Sequence, residues 1–190
     1  SSIGATDTID GNVVWHSNKS PWASSNAYAN PVGIAKGSNS VEPEKRGNGY
    51  CARLDVKLET VKALGIDIEV VVAGSIFLGK VYEPIKSAND PYKNIDMGIP
   101  YTKRPKALVF DYKCIVSPEQ TMTKALGIKQ KTVAGHDTPE VFIYLQKRWE
   151  DADGNIHALR VGTARLRFEK AVKEWQNGFR LPVRYGDITS

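Results

Sequence analysis

Tyr144, Gln146 and Arg148 form the row of this sequence best suited to chemistry. In an extended chain, side chains two residues apart share a face, so a phenol, an amide and a guanidinium would stand side by side. Such forks read paired hydroxyls, and Arg also seats a carboxylate bidentately. Asp111 and Lys113 repeat the spacing and would widen the face if the two strands were neighbours. Sugar hydroxyls and carboxylates are the ligands such a face suits; the plainer alternative is a solvated sheet face. Trp22, Tyr28 and Tyr92, together with Trp15, lie in turn-rich stretches, where exposed rings stack on the apolar faces of sugars. Their plainer alternative is loop-anchoring core, because large rings are usually buried. Trp149 and Trp175 read as core.

Other reactive groups give weaker signals. Dinucleotide, P-loop, zinc-protease and nucleophile-elbow motifs are all missing, so no catalytic residue is assigned. His16, His136 and His157 are not paired at metal-ligand spacing, and His136-Asp137 is a minor acid/base candidate in a turn. A hydrolase would draw on Asp111, Asp137, Glu140 and Glu150. Asp151-x-Asp153-Gly154 has calcium-loop character, but its glycine comes at the fourth position rather than the sixth and the closing Glu is missing, so it reads as a hairpin turn. No metal and no cofactor is expected; structural calcium is left open but not indicated. Cys51 and Cys114 fit no zinc or redox spacing and are expected to remain unpaired.

These residues need strands to hold them. Tyr50, Ala52, Leu54, Val56 and Leu58 alternate with polar partners, which predicts a strand over 50–59 with one buried and one wet face. The β-branched run 66–77 predicts a more deeply buried strand, bent at Ala73-Gly74-Ser75. Further strands are expected at 106–115, 140–149, 157–168 and 179–185, with a hairpin turn at 151–155. Residues 81–104, with three prolines, read as a long ordered loop. Phe168, Val172 and Trp175 have helical spacing across 167–177, closed by Gly178, which predicts one or two helical turns. Residues 1–45 read as an irregular, aromatic-containing lead-in packed on the body, and 46–190 as the body of a single domain. The expected fold class is all-β: a β-sandwich of jelly-roll type with long ordered loops and at most one short helix.

Composition sets outer bounds. The 190 residues carry Lys+Arg 26 against Asp+Glu 21, a formal charge of +5, with 41% hydrophobic residues. That excludes disorder, and no apolar run approaches the roughly 20 residues that span a bilayer. The cations are scattered beside carboxylates, so no nucleic acid is expected as a partner. The chain opens on Ser1-Ser2-Ile3-Gly4 with no signal peptide in view, and upstream sequence is expected to have been removed.

Several segments carry a resemblance. Ala73-Gly74-Ser75-Ile76-Phe77-Leu78-Gly79-Lys80 resembles the Ala-Gly-x-x-Phe-x-Gly-Lys stretch of the putative carbohydrate metabolism domain family. So do Gly98-Ile99-Pro100-Tyr101-Thr102-x-Arg104-Pro105-x-Ala107-Leu108 and the Asp111-Tyr112-Lys113 that follows. Trp15, Trp22-Ala23-Ser24-Ser25-Asn26, Gly47-x-Gly49-Tyr50 and the strand from Glu140 to Leu145 fit in order, so the similarity spans roughly Asp7 to Asp187. The resemblance implies a jelly-roll β-sandwich on an exported lipoprotein of Bacteroidetes, attached to the outer membrane or periplasmic, in a polysaccharide utilisation system. Its implied partners are a polysaccharide or oligosaccharide and other outer-membrane glycan-uptake proteins, with membrane contact only through a lipid anchor outside this chain. Family members usually end on a further strand with an acidic residue. Here the chain stops at Thr189-Ser190, and an exposed sheet edge is expected if that strand is missing.

The function expected is a carbohydrate-binding or carbohydrate-processing domain, with Trp22, Tyr28, Tyr92, Asp111, Lys113, Tyr144, Gln146 and Arg148 as ligand contacts. Binding without turnover is preferred, because no clear pair of catalytic carboxylates shows. The alternatives are a glycoside hydrolase or polysaccharide lyase acting on an acidic glycan, and a non-catalytic scaffold domain of a cell-surface complex.

Overall fold

Period-two alternation and β-branched runs dominate the chain, and strands follow from them. A computed structural model describes residues 4–9, 12–16, 20–29, 39–63, 66–82, 94–117, 123–126, 129–132 and 134–186. Its strands are β1 (Gly4–Ile9), β2 (Asn12–His16), β3 (Trp22–Ser24), β4 (Val41–Arg46), β5 (Gly49–Leu54), β6 (Val56–Ala63), β7 (Ile66–Ala73) and β8 (Ile76–Val81). They continue with β9 (Ile95–Met97), β10 (Ala107–Cys114), β11 (Thr123–Leu126), β12 (Lys129–Thr132), β13 (Glu140–Glu150), β14 (Ile156–Arg167), β15 (Val172–Pro182) and β16 (Arg184–Tyr185). The fold class is all-β. The described strand pairings are antiparallel, and the described helical structure is one 3-10 turn, Ser25–Ala29.

The chain divides into two compact units. The first comprises Ser1–Tyr101 with Thr123–Thr132, and the second Thr102–Met122 with Val133–Ser190. In the first, β1-β2, β4-β5, β6-β7 and β11-β12 pair as ribbons, and β3-β8-β9 form a three-stranded sheet. Segments far apart in sequence meet at Ser40, Asp55 and Gly74. Asp55 N donates to Ser40 O at 2.9 Å, and Gly74 N donates to Asp55 O at 2.8 Å. A Cβ on Gly74 would collide with the Ser40 carbonyl, so glycine is required by close backbone approach. Asn26 ties the 3-10 turn to this point, donating to Val41 O at 2.8 Å and accepting from Ser40 N at 3.1 Å.

Several expectations for this unit are corrected. Where an irregular lead-in is expected over 1–45, β1 to β4 form, because pairing satisfies backbone groups whatever the local propensity. The expected 50–59 strand breaks at Asp55 into β5 and β6. Its apolar row points outward: Tyr50 is 75% exposed and Leu58 59%, since a two-stranded ribbon has no second layer of its own to cover it. The bend at residues 73–75 is present between β7 and β8. Part of the expected 81–104 loop returns as β9, which pairs with β8 from Gly79↔Met97 to Val81↔Ile95. The β11-β12 hairpin has no counterpart in the sequence reading, its strands being short and Lys-rich.

The second unit is a small sandwich. The ribbon β10-β15 and the sheet β13-β14-β16 are its layers. One segment serves both: after Pro182 the chain leaves β15, Val183 N donates to Lys106 O at 3.0 Å, and β16 then pairs with β14. Such a sheet-switching corner ties two layers together. Ala164, Phe168 and Leu181 are buried here. Phe110, Tyr112 and Phe179 pack edge-on or tilted, and Tyr112 meets Phe168 at 4.8 Å between ring centroids. Each aromatic pair adds about 0.5–1.5 kcal/mol beyond area burial.

The helix expected over 167–177 does not form: Arg167 ends β14, residues 168–171 make the connection, and β15 opens at Val172. β10 and β15 pair Phe110↔Phe179, Tyr112↔Gln176 and Cys114↔Val172, so extra residues bulge from β15 twice. Bulges stretch the inward-facing interval beyond two. Val172, Trp175 and Phe179 therefore carry a helix-like spacing written by a bulged strand, and the connection before β15 sets Phe168 four residues ahead of Val172. Gly178, at φ +63, supplies the left-handed residue of one bulge.

Candidate functional site

β13 and β14 make the longest ladder of the second unit, and the site stands on it. Val141, Ile143 and Leu145 turn inward with Leu166, Ala164 and Gly162 opposite. A Cβ on Gly162 would meet Tyr185, Val183 and Leu145 side chains at 3.1–3.2 Å, so this inner face is tightly filled. The hairpin closes as expected at residues 151–155. Asp151 Oδ1 accepts from Asp153 N at 3.0 Å and Asn155 N at 2.8 Å, and Gly154 takes φ +84. The calcium-like spelling is thus an Asx-stabilised turn.

The other face carries Glu140, Phe142, Tyr144, Gln146, Arg148 and Glu150. Opposite them on β14 stand Arg167, Arg165, Thr163, Arg160, Ala158 and Ile156. The ladder slips by one residue between Leu145↔Gly162 and Gln146↔Arg160. This bulge at Val161 resets the alternation, so Arg160 shares a face with Arg165 despite their odd separation. Phe142 is 52% exposed, and its ring meets Tyr144 at 4.8 Å between centroids. The Arg160 guanidinium lies over the Tyr144 ring at 3.9 Å, a cation–π contact. Gln146 and Arg148 are exposed beside them. The result is an exposed Phe142 ring beside a half-buried Tyr144 ring capped by Arg160, bordered by amide and guanidinium forks.

Glu140 closes one end. Arg165 grips its carboxylate with Nε at 2.6 Å and Nη2 at 2.9 Å, and Arg167 adds Nη2 at 3.1 Å. The hydrogen bond from Arg165, then that from Arg167, holds the Glu140 carboxyl below the ordinary carboxylate range against the opposing effect of burial. Glu140 stays ionised at neutral pH and is unsuited to donate a proton. Among the described residues this face has one further carboxylate, Glu150, ten residues along the strand. At about 3.3 Å per residue that is about 33 Å, against the roughly 5–9.5 Å a two-carboxylate glycosidase needs. Nor do the described His, Cys, Asp and Glu residues form any group of three that could hold a metal ion.

At the hairpin end, Trp149 is 45% exposed and stacks on His157 at 5.3 Å between centroids, which corrects its expected place in the core. Both strands are exposed over the last five rungs, Gln146–Glu150 opposite Ile156–Arg160, so the core ends before this pair. His157 Nε2 lies 2.6 Å from Asp151 Oδ2. The His157 hydrogen bond, then the Asn155 backbone and side-chain donors, lower the Asp151 carboxyl to about 2.

The residues expected to bind ligand are not all brought together. Tyr144, Gln146 and Arg148 share the face described above. β10, carrying Asp111 and Lys113, pairs with β15 rather than β13, so the widened polar face is not formed. Asp111 Oδ1 accepts the Gly178 N–H at 2.6 Å, and Lys113 Nζ lies 5.3 Å from the Trp175 ring centroid. Both cysteines are free thiols. Trp22 is 50% exposed on β3 in the other unit. Tyr28 sits in the 3-10 turn with its side chain outside the described residues, and Tyr92 lies wholly outside them. Sequence reasoning missed Arg160, Arg165 and Arg167, which the Val161 bulge places together. Phe142 was legible on the parity of β13.

No curated protein and no solved structure matches the chain. The family model described as the putative carbohydrate metabolism domain matches residues 7–189, nearly the whole length. The protein belongs to that family.

Proposed function

We propose that the protein binds carbohydrate without cleaving it, on the outer face of β13 and β14. One observation carries this reading: the exposed Phe142 ring beside Tyr144, with Arg160 over Tyr144 and Gln146 and Arg148 at the border. A sugar ring presents an apolar face to stack and equatorial hydroxyls to bond, and this platform offers both kinds of contact. The paired Glu140 and its distance from Glu150 favour binding over hydrolysis on this face. Trp22 is an independent candidate platform in the first unit. Work beside glycan-uptake proteins at the outer membrane, after export, belongs to this reading and rests on the family resemblance.

Affinity electrophoresis of the full chain against neutral and acidic polysaccharides tests it. Retardation by at least one glycan, lost in Phe142→Ala and kept in Trp22→Ala, is the expected result. Retardation that survives Phe142→Ala and Tyr144→Ala would remove the site from this face.

A further inference from the structure

Building on the carbohydrate reading above, we infer that the glycan held on this face is acidic, and that Arg160 and Arg184 seat its anionic group. The ligand class is a sugar bearing an oxyanion, as a uronate carboxylate or a sulfate ester.

Charge is concentrated on one surface. The register places Arg148, Arg160, Arg165, Arg167 and Arg184 on the outer face of β13-β14-β16, against Glu140 and Glu150. Arg165 and Arg167 are taken up by Glu140. Arg148, Arg160 and Arg184 have no carboxylate partner among the described residues. The balance on this face is thus strongly basic, although cations and carboxylates nearly cancel along the chain. Guanidinium forks match the geometry of carboxylate and sulfate oxygens and are less strongly hydrated than ammonium groups.

The centre of the face supplies a second observation. Thr163 stands between Tyr144 on β13 and Arg184 on β16. It is 9% exposed, and its Oγ1 has no hydrogen-bond partner in the structure. A buried hydroxyl left unpartnered is uncommon and asks for an explanation. Movement of the flexible arginine side chains beside it would open it to a ligand oxygen. An anion drawn in by Arg160 and Arg184 would arrive next to that donor, with the Tyr144 and Phe142 rings alongside for the sugar ring. Adjacent strands lie about 4.8 Å apart, so Tyr144, Thr163 and Arg184 span the width of three strands, about 10 Å. A nucleic acid would also meet rings and arginines here, but the cations elsewhere are dispersed and form no stripe to track a phosphate backbone.

Matched polymers test the inference: polygalacturonate against its methyl ester, and dextran sulfate against dextran, with single-stranded poly(U) as a polyanion control. Affinity electrophoresis and titration calorimetry read binding to the full chain. The acidic member of one pair or both should be held and its neutral counterpart released. Arg160→Gln and Arg184→Gln should each weaken binding by about 10-fold, with the thermal melt unchanged in Arg184→Gln and lowered only slightly in Arg160→Gln, which also loses its contact with Tyr144. Uronate and sulfate are told apart by which pair discriminates. Equal retention of neutral and acidic members, with the arginine variants unaffected, would overturn the anionic site and leave carbohydrate binding intact. Poly(U) held as tightly as the acidic glycans, with Phe142→Ala silent, would overturn both readings in favour of bulk charge. Failure to hold any of these polymers or any neutral glycan would overturn both as well.

Discussion

Replacing Gly178 with alanine tests the account of β15 as a bulged strand latched to β10. Gly178 has φ +63, in the left-handed region where an L-residue costs about 1–2 kcal/mol. No atom lies within 4 Å of the position a Cβ would take, so steric crowding adds nothing and the backbone penalty stands alone. Gly178→Asn should recover part of it, since Asn visits this region more readily. The latch itself is the Gly178 N–H to Asp111 Oδ1 hydrogen bond at 2.6 Å. Bonds to charged groups contribute about 1.5–3 kcal/mol, and the exposed setting of this one places Asp111→Ala near or below the lower end, at about 1 kcal/mol. Amide hydrogen exchange on β10 and β15 reads this ribbon alone, avoiding the assumption that both units unfold together. The expected result is faster exchange in Asp111→Ala and Gly178→Ala, with Gly178→Asn between Gly178→Ala and the native chain. If Asp111 were a solvent-facing ligand residue, its removal would change stability by less than about 0.5 kcal/mol. Native-like exchange in Asp111→Ala, together with Gly178→Asn no better than Gly178→Ala, would refute the latch.

Other perturbations follow from the same geometry. Phe168→Ala empties a buried site against Tyr112 and should cost about 3–5 kcal/mol, read as a lower midpoint for the second unit in urea. Gly79→Ala introduces a side chain at φ +139 that collides with the Asp96 carbonyl. It should cost about 1–3 kcal/mol and loosen β9 first, seen as lost amide protection at residues 95–97. Asp151 titrates low in the folded chain, at about 2, so its stabilising effect is full above the ordinary carboxylate range near pH 4. That effect is lost as pH falls from about 4 through 2. Carboxyl NMR should show this titration, and His157→Ala should raise it, because the His157 hydrogen bond is the largest cause. Glu140→Gln releases Arg165 and Arg167 from their ion pairs and should increase retardation by polygalacturonate if the face holds acidic glycans.

Local pattern alone carried much of the architecture. Alternation over 140–149, with the turn residues at 151–155 and the strand-like run 157–168 after them, was enough to place β13, β14 and their hairpin, because one covered face writes a period of two into the sequence. The same parity set Phe142, Tyr144, Gln146 and Arg148 in one row. Tertiary pairing decided what parity cannot express. The Val161 bulge brings Arg160 to the side of Arg165, and the choice of β15 as partner for β10 takes Asp111 away from Tyr144. The turn after Phe168 and the bulges in β15 together mimic helical spacing through Phe168, Val172 and Trp175. Apolar alternation through Tyr50, Leu54 and Leu58 marked a face but not whether anything covers it. Periodicity records the local backbone state, whereas register slips, strand partners and coverage arise from contacts between residues far apart in the chain. The glycines of Ala73-Gly74 and Gly79-Lys80 join the two levels: their positions are visible in sequence, and their reason, close approach to the Ser40 and Asp96 carbonyls, exists only once the strands have met.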